Sequence, residues 1–336
     1  MSRFSSPRRY MHMRIDCHSH IEIPEAVSLL PQNSDPLSSV SPKSKLIQEQ
    51  LTLSLKDQLE NPERRIADME EMRLDLSVIS IAPPHFYYNL DGEVAVAFTQ
   101  RQNNRLAEIV RAYPGKFIGM ATVPLQNVKA AAAEMERAVL DLNLKGVEVG
   151  SNIRGRYLGD PLFWPFYEKV AGLDVPIFIH PRDVAGSERL KDFYFGNLIG
   201  NPLDTTIAAA HIIFSGVLDR FPGLKFILSH AGGQLPYICG RFRHGFNVRP
   251  ECKEFIKKSP LDYVKMFYFD TIAHDSESLR FLISRVGADH VVIGTDYPYD
   301  MGDMDPVRSV EELTDLPADQ SAKIMGENAA SLFKIS

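Results

Sequence analysis

Two histidines stand one residue apart near the start of the chain, His18 and His20 in "MRIDCHSH" (13–20). In a strand, alternate side chains share a face, so two imidazoles can aim at one point. A divalent metal ion accepts two imidazoles side by side. The plainer reading is two surface histidines at a strand end. Three further groups weigh on the choice: His180 in "PIFIH", His230 in "KFILSH" and Asp296 in "HVVIGTD". Each follows a short β-branched run. A single histidine after a strand is usually structural, and an Asp before Tyr-Pro is often a turn residue. Four histidines and one aspartate at the same ends of four runs form a pattern that independent structural residues do not explain. Three imidazoles and a carboxylate suit zinc, with manganese the second choice. With His18, His20, His180 and Asp296 as ligands, a further position stays open for water or substrate. His230 need not be a ligand. It can stand beside the ion as general acid or base, imidazole being the side chain that exchanges protons near neutrality.

Eight such runs recur: 13–17, 76–82, 117–123, 145–150, 176–180, 225–230, 264–270 and 290–296. Each is nearly continuous in apolar residues, as expected of a strand covered on both faces. Amphipathic stretches lie between them. "NPERRIADMEEM" carries Asn61 as N-cap and Pro62 at the first helical position. "AVAFTQRQNNRLAEIVRAYP" and "VKAAAAEMERAVLDL" share the helical spacing. The alternation predicts an α/β fold, a single (β/α)8 TIM-type barrel with insertions after strands 1 and 5. A doubly wound open sheet is the alternative. In a barrel the strand C-termini build the active site, and long insertions there cover it. Residues 1–12 read as a loose arm, with Met11 or Met13 as alternative starts, and 13–336 as the barrel domain. No repeat or second domain is visible.

Composition narrows the function classes. The chain has 336 residues, 44% of them hydrophobic, and a net charge of -6. That balance argues against a nucleic-acid binder. Three widely spaced cysteines (Cys17, Cys239 and Cys252) suggest neither a disulfide framework nor a thiolate zinc site, and fit a reducing, cytoplasmic setting. No apolar run is long enough for a membrane helix.

The motifs "DCHSH", "FIHP", "SHAGG" and "GTDYPY" on eight βα units resemble the amidohydrolase superfamily. More narrowly, they resemble its decarboxylase branch, typified by 2-amino-3-carboxymuconate-6-semialdehyde decarboxylase (ACMSD). The resemblance runs from residue 13 to about 334 and is closest in "SHAGGQLPYICGRFRHGFNVRP" and "DHVVIGTDYPYDMGD". It implies His18, His20, His180 and Asp296 as ligands of one divalent metal, and His230 as the catalytic histidine. It implies Arg241, in "CGRFRHGF", as an arginine that reaches into the neighbouring subunit's site and holds a substrate carboxylate, hence a homodimer. No organic cofactor is implied. Run four ends "VEVGS" without a lysine, which fits one metal rather than a bridged pair. Two positions depart from the family pattern. Counting back from "NPERR" without gaps puts Lys56 where the family has a second carboxylate-binding arginine. Asn197 falls near the pocket tryptophan, with Phe193, Tyr194 and Phe195 as nearby aromatic surface. Asp270, closing run seven, either orients a polar group of the site or caps its strand.

Three functions are weighed on these residues. The favoured one is a metal-dependent, cofactor-free, non-oxidative decarboxylase of an unsaturated or aromatic carboxylate. The second is a hydrolase or hydratase on the same scaffold. The third is a binding protein with a vestigial site, which an intact five-residue constellation disfavours.

Overall fold

A computed structural model describes residues 13–31, 42–90 and 92–335; the arm read over 1–12 lies outside them. Eight parallel strands follow one another round a single sheet in chain order. They are β1 (Ile15–Ile21), β2 (Leu76–Ile81), β3 (Phe117–Ala121), β4 (Gly146–Gly150), β5 (Pro176–His180), β6 (Lys225–Leu228), β7 (Phe267–Asp270) and β8 (Val291–Val292). Backbone bonds from the chain beyond β8 return to β1: Cys17 N–H donates to Ile293 O, Asp296 N–H to His18 O and His20 N–H to Tyr297 O, each at 2.8 Å. The eight predicted runs are the eight strands, and the sheet is a barrel rather than an open one.

The strands read as apolar because both faces are covered. Outward-facing residues pack on the helices. Ile15, Cys17, Val78, Met120, Phe178 and Ile227 form a second buried cluster with Ala329, Leu332 and Phe333 from the end of the chain. The ring of Phe178 lies 4.7 Å from that of His18. Apolar packing thus gives way to polar groups at the level of His18.

The helices are capped as their sequences foretell. Asn61 accepts from Glu63 N–H (3.0 Å) at the start of helix Pro62–Glu71, and Asn127 accepts from Ala130 N–H (3.2 Å) at the start of Val128–Leu140. The first of these positions the site directly. Its Arg65 is buried, donates to the carbonyl of His20 and lies 4.6 Å from the Tyr297 ring centre. Between β1 and β2 run helices Pro24–Val27, Pro42–Ser54, Lys56–Glu60 and Pro62–Glu71. Between β5 and β6 come a π-turn, Gly196–Gly200, and helices Asn201–Phe214 and Val217–Arg220.

Candidate metal centre and its cavity

His18 and His20 lie within β1, His18 inside and His20 just past a register shift between Asp16 and Ser19, a bulge of the kind that re-aims side chains. Asp16 holds that bend. Its carboxylate accepts from His18 N–H (3.0 Å), Thr295 N–H (3.1 Å), Thr295 Oγ1 (2.9 Å) and Ser77 Oγ (3.1 Å). Three elements are thereby tied at one buried carboxyl, which burial pushes up to about 6.

His180 is the last residue of β5, and Asp296 lies four residues past β8. With His18 and His20 they offer four ligand atoms, all within 4.8 Å of one another and all from buried residues. Asp296 Oδ1 is 3.0 Å from His20 Nε2, 3.3 Å from His18 Nε2 and 4.0 Å from His180 Nε2. Corner atoms about 2.1 Å from one ion stand about 3–4 Å apart. Both Asp296 Oδ1 and His180 Nε2 are buried without a hydrogen-bond partner, a costly state unless something else occupies the point they face. Burial pushes His20 down to about 4 and His180 well below the ordinary histidine value. Both are therefore neutral, as ligation requires. Burial also opposes charge on His18, but Asp296 and Asp270 outweigh it and raise that imidazole to about 10. For Asp296 burial opposes ionisation, yet His18, His20 and His230 hold the carboxyl well below its usual range. The carboxylates of Asp296 and Asp270 on either side of His18 thus draw positive charge to this point. Its donors, three nitrogens and an oxygen, fit a single divalent ion.

His230 follows β6 in "SHAGG". His230 and Ala231 both take φ of +54°, a strained conformation that needs outside support. Asp270 supplies it, accepting from His230 N–H (2.9 Å) and Ala231 N–H (2.7 Å). The same carboxylate accepts from His18 Nδ1 at 2.7 Å, so both roles considered for Asp270 are filled. The glycines are dictated by space: a Cβ on Gly232 would meet Phe269 at 2.4 Å, and one on Gly233 would meet Pro202 O at 2.1 Å. The turn delivers His230 Nε2 to 3.4 Å from Asp296 Oδ2.

Two cavities open over this cluster. One, of about 230 Å³, is lined by His180, Asp296, Arg182, Lys191, Tyr194 and Tyr299, with Ser44 and Gln48 from helix Pro42–Ser54. The other, of about 550 Å³, is largely apolar and is lined by His230, Ala231, Ile272, Ala273, His274 and Phe281. Asn197 borders both. Lys56 does not. It is exposed and lines a separate surface cavity with Asp57 and Glu60. Counting back from "NPERR" crosses the junction at Asn61 and ends on the first residue of helix Lys56–Glu60, whereas Ser44 and Gln48, one turn apart on the preceding helix Pro42–Ser54, line the first cavity. Arg241, on helix Leu235–Val248, is exposed and lines neither cavity. Phe193 is 82% exposed and also lines neither, whereas Tyr194 contributes to the first. Arg182 and Lys191 were missed by the sequence reading; their signal was position, two and eleven residues past His180.

Comparisons with known proteins agree with this geometry. The amidohydrolase family model matches residues 15–335. The ACMSD of Dictyostelium discoideum is 34% identical over 270 residues, which are 80% of this chain and 75% of the relative. The crystal structure of 5-carboxyvanillate decarboxylase from Sphingomonas paucimobilis superposes with a TM-score of 0.85 at 25% identity, covering 97% of this chain and all of that one. A dihydroxybenzoic acid decarboxylase from Polaromonas, solved with bound manganese and the inhibitor 2-nitroresorcinol, superposes with a TM-score of 0.81 at 27% identity, covering 96% and 97% of the two chains. A match over almost the whole chain, on a barrel that carries its polar cluster where the strands end, establishes that this chain belongs to the amidohydrolase family.

Proposed function

We propose that the chain is a metal-dependent carboxy-lyase that removes carbon dioxide, without oxidation or an organic cofactor, from an aromatic or unsaturated carboxylate. The observation that carries the proposal is the convergence of three imidazoles and Asp296 beneath a cavity, with His230 at its rim. The similarity to decarboxylases favours this over the hydrolase or hydratase reading.

His18, His20, His180 and Asp296 would hold one divalent ion. Bound there, it supplies fixed positive charge that orients the substrate's oxygens and stabilises negative charge as it develops. Zinc is the metal the nitrogen-rich donor set favours, with manganese the competitor. Loss of carbon dioxide leaves the bonding electron pair on the substrate carbon. His230 delivers a proton to that carbon as the C–C bond breaks. Asp270 keeps the His230 turn and the His18 ring in register during that transfer. Arg182 and Lys191 supply the cationic wall that a carboxylate substrate requires within the subunit. Arg241, exposed and outside both cavities, serves the site of a neighbouring subunit in a homodimer. Three free thiols support placing the enzyme in the cytoplasm.

The test is the metal content of protein purified without chelator, together with carbon dioxide release from carboxymuconate semialdehydes and ortho-hydroxybenzoates. About one metal per chain with carbon dioxide from any acid is the expected result. One metal with turnover only of lactones or alkenes makes the chain a hydrolase or hydratase. No metal removes the basis of both.

A further inference from the structure

Each imidazole of the cluster must aim Nε2 inward, and something must fix the other ring nitrogen. For His18 that partner is Asp270, 2.7 Å from Nδ1. For His180 it is the carbonyl of Pro181, 3.0 Å from Nδ1. His20 Nδ1 is buried and has no hydrogen-bond partner. What faces it is Glu148 of β4, whose Oε2 lies 3.9 Å away. Glu148 is itself 0% exposed, and neither of its oxygens has a partner of good geometry. The adjacent Ser80 hydroxyl sends its proton to the Ser19 carbonyl at 3.2 Å. Three unsatisfied atoms in one dry place thus point at one another. An ionised carboxyl without a partner is among the most expensive groups to bury, and burial pushes Glu148 up to about 8; a hydrogen bond from a ring N–H or a nearby positive charge offsets that cost.

We propose that Glu148 is a positioning residue of the metal centre, accepting the Nδ1–H of His20 so that His20 Nε2 faces the ion. This rests on the metal reading above. It gives all three imidazoles one arrangement, with an acceptor behind each ring.

The experiment starts from holoenzyme and follows metal retention against increasing concentrations of a competing chelator. It compares wild type, Glu148→Met and Glu148→Gln, and records the melting temperature of each. Met keeps the length of the side chain but removes the acceptor; Gln keeps an acceptor oxygen. The expected result is metal held about 10- to 100-fold less tightly by Glu148→Met, with Glu148→Gln recovering most of the difference. Wild-type retention by Glu148→Met overturns the proposal. So does Glu148→Gln as weak as Glu148→Met, because the acceptor is then irrelevant. A purely packing role gives a lower melting temperature with unchanged retention. If Glu148→Met does not fold, Glu148→Asp, one methylene shorter, replaces it, and wild-type retention there is equally fatal. Wild type that carries no metal refutes the metal reading itself, a different failure.

Discussion

Replacing Asp270 with asparagine perturbs the site at its most connected atom pair. Asp270 is fully buried. Its Oδ2 accepts from His18 Nδ1 at 2.7 Å and His230 N–H at 2.9 Å; its Oδ1 accepts from Ala231 N–H at 2.7 Å and Ile272 N–H at 3.1 Å. An amide has the same shape but one acceptor oxygen. Whichever way it turns, its NH2 meets two groups that also donate. Two buried donors left unpaired cost about 1–3 kcal/mol each, so Asp270→Asn should destabilise the fold by about 2–6 kcal/mol. With about 2.1 cal/mol/K of unfolding entropy per residue, that lowers Tm by about 3–9 °C for a chain of 336 residues. A functional loss should accompany the stability loss. The His18 ring loses its anchor, and the His230–Ala231 turn, with φ of +54° at both residues, loses the bonds that hold it. Well below its melting temperature, the variant should show about 10- to 100-fold lower turnover and reduced metal content. Calorimetry of the holoenzyme, elemental analysis and carbon dioxide release measure the three effects. A variant within 1 °C and 2-fold of wild type in Tm and turnover would show that this carboxylate does not organise the site.

His85 gives a pH prediction. Burial and the Arg182 charge push it down to about 4, with Glu22 3.8 Å away as the facing carboxylate. It is neutral when folded but takes a proton when unfolded near 6.5, so its contribution is intact above 6.5 and is lost as pH falls from 6.5 toward 4. That contribution is at most about 3 kcal/mol. His85→Gln should unfold at a lower pH than wild type in an acid titration, and superimposable curves refute this. Arg182→Ala should raise KM for a carboxylate substrate about 10-fold or more, while Lys56→Ala leaves it unchanged; the opposite pattern would restore Lys56 to the site. Mixed subunits of Arg241→Ala and His230→Ala should regain activity that neither variant shows alone. No recovery would confine each site to one chain.

The eight strands were legible because burial on both faces of a parallel barrel removes polar alternation, leaving runs such as "LSVISI" that no amphipathic helix would contain. The four clustered side chains were legible for a related reason. A polar residue that ends an apolar run is conspicuous, and in a barrel the run's end fixes its place in space. The helix start at Asn61 was readable from local chemistry alone, while the cap at Asn127 came from the structure. The groups behind the cluster were less visible. Glu148 sits inside "GVEVG", where one letter gives no sign that its partner comes from β1. Asp270 could be seen to end a strand, but not that its four donors come from β1, the turn after β6 and its own loop.

Lys56 shows where such reading fails. Among its described residues the segment between β1 and β2 has no strand to set its register, so a residue count was the only ruler. That count ends on the first residue of helix Lys56–Glu60, and exposed Lys56 lines another cavity. The site's own cations came from the chain just past β5, where Arg182 follows His180 by two residues and inherits its placement from the strand. Chain tethered closely to a strand end is positioned by the barrel, and its residues can be assigned to the site from sequence. Chain far from one is positioned by side-chain packing, which sequence spacing does not encode. The clustered histidines and Asp296 are therefore placed by the barrel itself, whereas the residues lining the cavities above them are placed by loops. Asn197, seventeen residues past His180, reaches both cavities only because the turn at 196–200 brings it back over His230 and Asp296. On the proposed function, substrate choice would lie in those returning segments, and exchanging residues there should change which acid is bound without altering metal content.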